Sequence, residues 1–162
     1  MKKALIVYDS IYGNTRKVAM ALSRGLEAGG IHVDSKLVSK CIPNELKDYD
    51  IIGIGSPTHF HGTSKKIKLF LSELENIGLN DKAAFAFETR LDFPLTGSAA
   101  KKIVKSLENR ELRVLDINIS GKVLDKEGPL VESTLSIMEQ IGITISDIVN
   151  QESLKLPKEG YE

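Results

Sequence analysis

Five hydrophobic runs constrain this chain more than anything else in it. Residues 4–8 (Ala-Leu-Ile-Val-Tyr), 51–55 (Ile-Ile-Gly-Ile-Gly) and 83–87 (Ala-Ala-Phe-Ala-Phe) carry no charged side chain on either side. A strand that is apolar all round must be covered on both faces, as the middle strands of a parallel sheet are. Residues 31–38 and 113–119 alternate instead. Ile31, Val33 and Leu37 oppose His32, Asp34 and Lys36, and Leu115, Ile117 and Ile119 oppose Asp116, Asn118 and Ser120. Alternating strands belong at sheet edges. Helical periodicity marks the other segments: Val18, Leu22 and Leu26 before Gly29-Gly30; Ile67, Phe70, Leu71 and Leu74; and Ala100, Ile103, Val104 and Leu107 behind a Ser98 or Thr96 cap. A last helix is expected to open at Gly128-Pro129 and to show Val131, Leu135, Met138, Gly142, Ile145 and Val149 on one face. Three central and two edge strands predict a three-layer α/β sandwich. Its parallel sheet takes the order 2-1-3-4-5, with helices on both faces. In that order the topology reverses between strands one and three, and ligands bind beyond the strands' carboxyl ends at that point.

The chain's 162 residues supply one domain with a full core, expected over 1–150, with 151–162 as a C-terminal tail. Twenty-two basic and 22 acidic residues cancel and intermix, which argues against a nucleic-acid partner. No apolar run is long enough to span a membrane, and no leader-like pattern follows Met1-Lys2-Lys3, which enters a strand directly. Cys41 is the one cysteine, so no internal disulfide can form and a reducing, cytoplasmic setting is expected. Lys65, Lys66 and Lys68 read as the solvated side of a helix.

The turn after the first strand, Ser10-Ile11-Tyr12-Gly13-Asn14-Thr15, feeds a helix. A helix N-terminus carries unpaired backbone N–H groups and a partial positive charge. Ser10 and Thr15 add hydroxyls, and Gly13 lets the backbone come close to an anion. These six residues include no Lys and only one Gly, so neither the triphosphate loop nor the dinucleotide fingerprint is present. Taken alone, the turn reads equally as a helix cap or as a seat for one terminal phosphate. Its place at the switch point favours the phosphate.

Two further loops reach the same edge. Gly55-Ser56-Pro57-Thr58-His59-Phe60-His61-Gly62-Thr63 sets an aromatic between two histidines, able to stack on a flat ring or to fold back on the core. Glu88-Thr89-Arg90 and Phe93 follow the fourth strand. Glu88 and Arg90 read most simply as a surface ion pair. A phosphate-accepting receiver domain shares this strand order, but it needs an acid where Ser56 stands.

Together these loops resemble the flavodoxin family. Residues 10–15 match that family's [ST]-x-T-G-x-T phosphate motif except at Tyr12, and Gly55-Ser56-Pro57-Thr58 matches its second loop. The resemblance implies a flavodoxin-like fold and noncovalently bound FMN. It implies that Ser10, Tyr12, Gly13, Asn14 and Thr15 hold the phosphate. Pro57, Thr58, His59, Phe60, His61 and Gly62 would border the ring, with Gly62 free to rotate a peptide toward the flavin N5. Glu88, Thr89 and Arg90 would cover the other side. The implied activity is electron transfer between redox partner proteins. The alternative is NAD(P)H-dependent reduction of a quinone or another small acceptor. A monomer or small homo-oligomer is expected. Three departures stand out: there is no Trp, Tyr12 replaces a hydroxyl donor, and the chain is neutral where typical members are acidic.

Overall fold

The computed structural model describes residues 1–59, 62–93 and 95–155. Strand β1 (Lys3–Tyr8) pairs in parallel with β2 (His32–Leu37) on one side and β3 (Ile51–Pro57) on the other. Strand β4 (Ala83–Leu91) pairs with β3, and both β5 (Arg113–Val114) and β6 (Ser120–Val123) lie along the far edge of β4. The order is 2-1-3-4-5, with β6 attached to β4 beyond β5. This is the order that the apolar and alternating runs predict. Among the described residues four α-helices complete the layers: α1 (Asn14–Ala28), α2 (Lys65–Ser72), α3 (Ala99–Glu108) and α4 (Thr134–Lys155).

Alternate side chains of each strand serve opposite cores. Ala4, Ile6 and Tyr8 meet Val18, Leu22, Leu26, Met138, Ile145 and Val149 beneath α1 and α4. Leu5, Val7, Ile52 and Ile54 meet Ile67, Phe70, Leu71, Ile103 and Leu107 beneath α2 and α3. On the α1/α4 side β3 offers Ile51 and then Gly53 and Gly55, and the rings of Phe85 and Phe87 from β4 fill the space the two glycines' β-carbons would take. Helices α1 and α4 touch through Gly25 and Gly142. An added β-carbon at Gly25 would overlap the Glu139 carbonyl oxygen and lie 2.8 Å from the Gly142 Cα.

The structure corrects three expected boundaries. The fifth strand does not run from 113 to 119. After Val114 the Leu115 N–H still reaches the Ala84 carbonyl at 2.8 Å, but the Ile117 N–H turns back to Leu115 at 3.0 Å. Pairing resumes where the Glu88 N–H reaches Ile119 at 3.0 Å. Leu115 and Ile119 are buried and Ile117 packs on the core, so their alternation reports burial and not continuous pairing. The last helix opens at Thr134 rather than at Gly128-Pro129. Pro129 accepts from the Leu124 N–H at 2.9 Å and the Val131 N–H donates to Lys122 at 2.8 Å, so this stretch pairs with β6. Strand β4 continues past Phe87 to Leu91 because β6 supplies a partner for its second half, which makes Glu88, Thr89 and Arg90 strand residues. Helix α4 runs five residues past position 150, to Lys155, and residues 156–162 lie outside the described residues.

Two groups near the β2–β3 connection tie stability to pH. Burial, then the neighbouring Glu45 carboxylate, pushes the Cys41 thiol from 9.0 up to about 11. Burial, then the hydrogen bond to Asp34 Oδ2 at 2.7 Å, pushes the Tyr49 hydroxyl from 10.0 up to about 12. Both raised values favour the protonated forms in the folded chain. Their contribution is therefore whole below pH 9 and is lost as pH rises through about 11 to 12. Denaturant midpoints measured across that window should fall with pH, and Cys41→Ala with Tyr49→Phe should flatten the fall. An unchanged slope in the double variant would reject this assignment.

Candidate flavin site

The carboxyl ends of β1, β3 and β4 open onto one cleft at the switch point. It is lined by Ser10, Ile11, Tyr12, Asn14, Thr15, Pro57, Thr58, His59, Thr89, Arg90, Leu91, Val123 and Lys126. Its floor is the turn entering α1. Gly13 caps that helix in the left-handed region, at φ 89°, where residues with a β-carbon are strained. Ser10 Oγ accepts from the Arg16 N–H at 3.3 Å. No backbone N–H from Ser10 to Thr15 finds an acceptor among the described residues. Consecutive N–H groups left open at a helix N-terminus form an anion cradle.

The side chains of the cradle are sorted by packing. Thr15 is buried, and its hydroxyl shares a 2.7 Å hydrogen bond with that of Thr89, tying α1 to β4 beneath the cleft. Asn14 Nδ2 donates to the Glu127 carbonyl at 3.1 Å, which joins the loop after β6 to the cradle. Gly128 leaves room for this, since an added β-carbon there would lie 3.0 Å from Asn14 Nδ2. Tyr12 is 44 % exposed at the rim.

The loop after β3 forms a second wall. Ser56 Oγ accepts from the Ser64 N–H at 2.9 Å and so closes the loop onto the start of α2. The Thr58 N–H donates to the Thr89 carbonyl at 2.9 Å. His59 and Gly62 exchange two backbone hydrogen bonds of 2.8 Å. A peptide rotation at Gly62 would have to break this pair. Phe60 and His61, the aromatic and the second histidine of the ring loop, lie outside the described residues.

Glu88 is not a surface residue. Its side chain is 1 % exposed, and one oxygen accepts from Ser98 Oγ at 2.9 Å, the Ala100 N–H at 2.9 Å and Thr58 Oγ1 at 3.2 Å. Arg90 Nη1 stands 3.9 Å from the other oxygen. The carboxylate thus joins the ring loop to the N-terminus of α3, where Ser98 is the cap. Of the residues implied by the resemblance, Ser10, Tyr12, Asn14, Thr15, Pro57, Thr58, His59, Thr89 and Arg90 meet in the cleft, while Gly13, Gly62 and Glu88 support it from outside. Ile11, Leu91, Val123 and Lys126 join the lining unforeseen. Nothing in a lone Lys on a charged loop marks it as a neighbour of residues 10–15. Phe93, the aromatic that follows the fourth strand, is 57 % exposed and is not among the lining residues.

A family model of the flavodoxin domain matches residues 5–126. The chain belongs to the flavodoxin family. Among solved structures it resembles a flavodoxin from the domain Archaea, at a TM-score of 0.78 and 25 % identity, covering 91 % of this chain and 99 % of that one. An uncharacterized protein of Methanocaldococcus jannaschii is 36 % identical over 112 residues, 68 % of this chain and 63 % of the relative. An NAD(P)H dehydrogenase (quinone) of Archaeoglobus fulgidus is 33 % identical over 96 residues, 44 % of this chain and 50 % of that one. The chain thus spans between half and two thirds of the length of these two relatives. Membership of the flavodoxin family implies a flavin cofactor, and the cleft's chemistry fits one. The cradle suits a phosphate, and two buried nitrogens on the cleft wall, His59 Nε2 and Arg90 Nε, lack a partner among the described residues. Among those residues no helix is long and apolar enough to cross a membrane.

Proposed function

We propose that this flavodoxin-family chain binds FMN and carries electrons between redox partners, one at a time. The observation that carries the reading is the row of open backbone N–H groups from Ser10 to Thr15 at the switch point. In this reading Ser10, Tyr12, Gly13, Asn14 and Thr15 seat the phosphate, chiefly through main-chain donors. Pro57, Thr58, His59, Phe60, His61 and Gly62 border the ring. Thr89 and Arg90 form the opposite wall, and Glu88 fixes both walls from behind. The flavin supplies the redox chemistry, and the protein orients it and limits water at its edge. The lone buried cysteine suits work in a reducing, cytoplasmic setting.

A second reading follows from the relatives named NAD(P)H dehydrogenase (quinone) and from Arg90. A guanidinium beside the ring would favour negative charge on the reduced flavin and hence two-electron chemistry.

Flavin titration tests the proposal. Charge-assisted hydrogen bonds contribute about 1.5–3 kcal/mol each, so FMN should bind at least about a hundredfold more tightly than riboflavin. Equal affinities would reject the cradle as a phosphate seat. The FMN-loaded protein, reduced stepwise without air, should pass through a long-wavelength band if it is a one-electron carrier. Direct bleaching by NAD(P)H at a turnover rate would replace the carrier with the reductase.

A further inference from the structure

Behind the ring loop lies a second cavity, of about 460 Å³, between α2 and α3. Small-molecule pockets begin at about 300 Å³. Its walls are His59, Gly62, Thr63, Lys68, Leu71, Ser72, Lys102, Ser106 and Arg110, which include no acid. Three cations line it, in a chain whose basic and acidic residues balance overall. The side chain of Lys102 lies against Gly62, where an added β-carbon would sit 3.4 Å from its Cδ and 3.8 Å from its Nζ. Arg110 is held in place by two bonds from Nη1, to the Ser106 carbonyl at 2.9 Å and to Ser106 Oγ at 2.8 Å. Its Nε is buried and lacks an acceptor among the described residues. So is His59 Nε2, on the wall that this cavity shares with the flavin cleft. Neither Lys68, Lys102 nor Arg110 meets a carboxylate within 4.0 Å among the described residues.

Like charges gathered around a cavity repel, and buried donors without acceptors cost free energy. An anion with several oxygens relieves both at once. Lys68 and Lys102 would supply point charges, the fixed guanidinium a directed donor, and Ser106 and Thr63 hydroxyls. We propose that this cavity binds the phosphate of a small phosphorylated ligand, beside the flavin and separated from it by His59. The site does not depend on whether the protein is a carrier or a reductase. The phosphate can belong to a free phosphorylated metabolite or to the ribose of a phosphorylated pyridine dinucleotide.

The test is a titration of the isotope-labelled full chain with pyrophosphate, NADP⁺ and NAD⁺, followed by amide shifts. Saturable shifts centred on Gly62, Lys68, Lys102, Ser106 and Arg110 are expected. They should weaken as salt is raised. Lys68→Ala with Lys102→Ala should lower the affinity by about tenfold or more, because each removes a charge-assisted contact. Flavin binding should be unchanged, since neither lysine lines the flavin cleft. NADP⁺ stronger than pyrophosphate and NAD⁺ points to the dinucleotide, and pyrophosphate strongest points to a free phosphorylated molecule. Shifts confined to residues 10–15, no saturable shift, or an affinity untouched by the double variant would each overturn the proposal.

Discussion

Gly25→Ala should lower the unfolding free energy by about 3 kcal/mol, the upper part of the range for forcing an extra carbon into a packed core. The obstacle is main chain on both sides. The new methyl group meets the Glu139 carbonyl and the Gly142 Cα, and neither can swing aside as a side chain would. Helices α1 and α4 must separate, and the shared core of Leu22, Leu26, Met138 and Ile145 loosens with them. Gly142→Ala should behave alike, as its β-carbon would overlap the Leu22 carbonyl oxygen. Gly78→Ala is the control, because nothing lies within 4 Å of an added carbon there. Urea unfolding of the three variants decides the matter. A Gly25 variant as stable as the Gly78 variant would show that the two helices do not meet through their glycines. Because α1 also presents the cradle, flavin affinity should fall along with stability.

Glu88→Ala should cost about 3 kcal/mol and weaken flavin binding as well. Breaking a buried charged network by removing one partner typically costs about 3–5 kcal/mol. Here the alanine strands Thr58 Oγ1, Ser98 Oγ and the Ala100 N–H together. Glu88→Gln separates charge from shape. Its carbonyl oxygen can take the place of the oxygen that accepts all three bonds, and only the approach of Arg90 turns unfavourable. The glutamine should therefore keep most of the stability, with a loss of about 1 kcal/mol, while the alanine should not. Circular-dichroism melts and FMN titrations of the pair provide the measurement. Equal losses in both variants would mean that the carboxylate's charge matters and its hydrogen bonding does not.

The sheet was legible because its central strands leave no choice. Nothing in residues 4–8, 51–55 or 83–87 tolerates water on either side, and only a covered parallel sheet satisfies that. The cradle was legible because its parts adjoin in sequence, from Ser10 to Thr15. The broken fifth strand was not, since Leu115, Ile117 and Ile119 are drawn to the core whether or not the backbone between them pairs. Pro129 misled for a related reason. Proline suits the first turn of a helix, but here its carbonyl is worth more to the N–H of Leu124. Glu88 was misread because an acid two residues from an arginine resembles a solvated pair. Only burial and the arrival of Ser98 and Ala100 from the next element show that it is a hub. The basic cavity needed the fold too, because Lys68 of α2 and Lys102 and Arg110 of the α3 stretch are far apart in sequence.

The gap between β5 and β6 gives the molecule a joint. Each short strand is pinned to β4 on its own account, β5 at Ala83 and Ala84 and β6 from Glu88 to Leu91. What passes between them need not keep a fixed length. Asp116 and Asn118 face solvent there, so residues spliced in at that point would extend outward and leave both anchors seated. A fluorophore, an affinity tag or a whole guest domain could be carried at this position, with the turn of residues 10–15 and its Asn14–Glu127 tether left as they are.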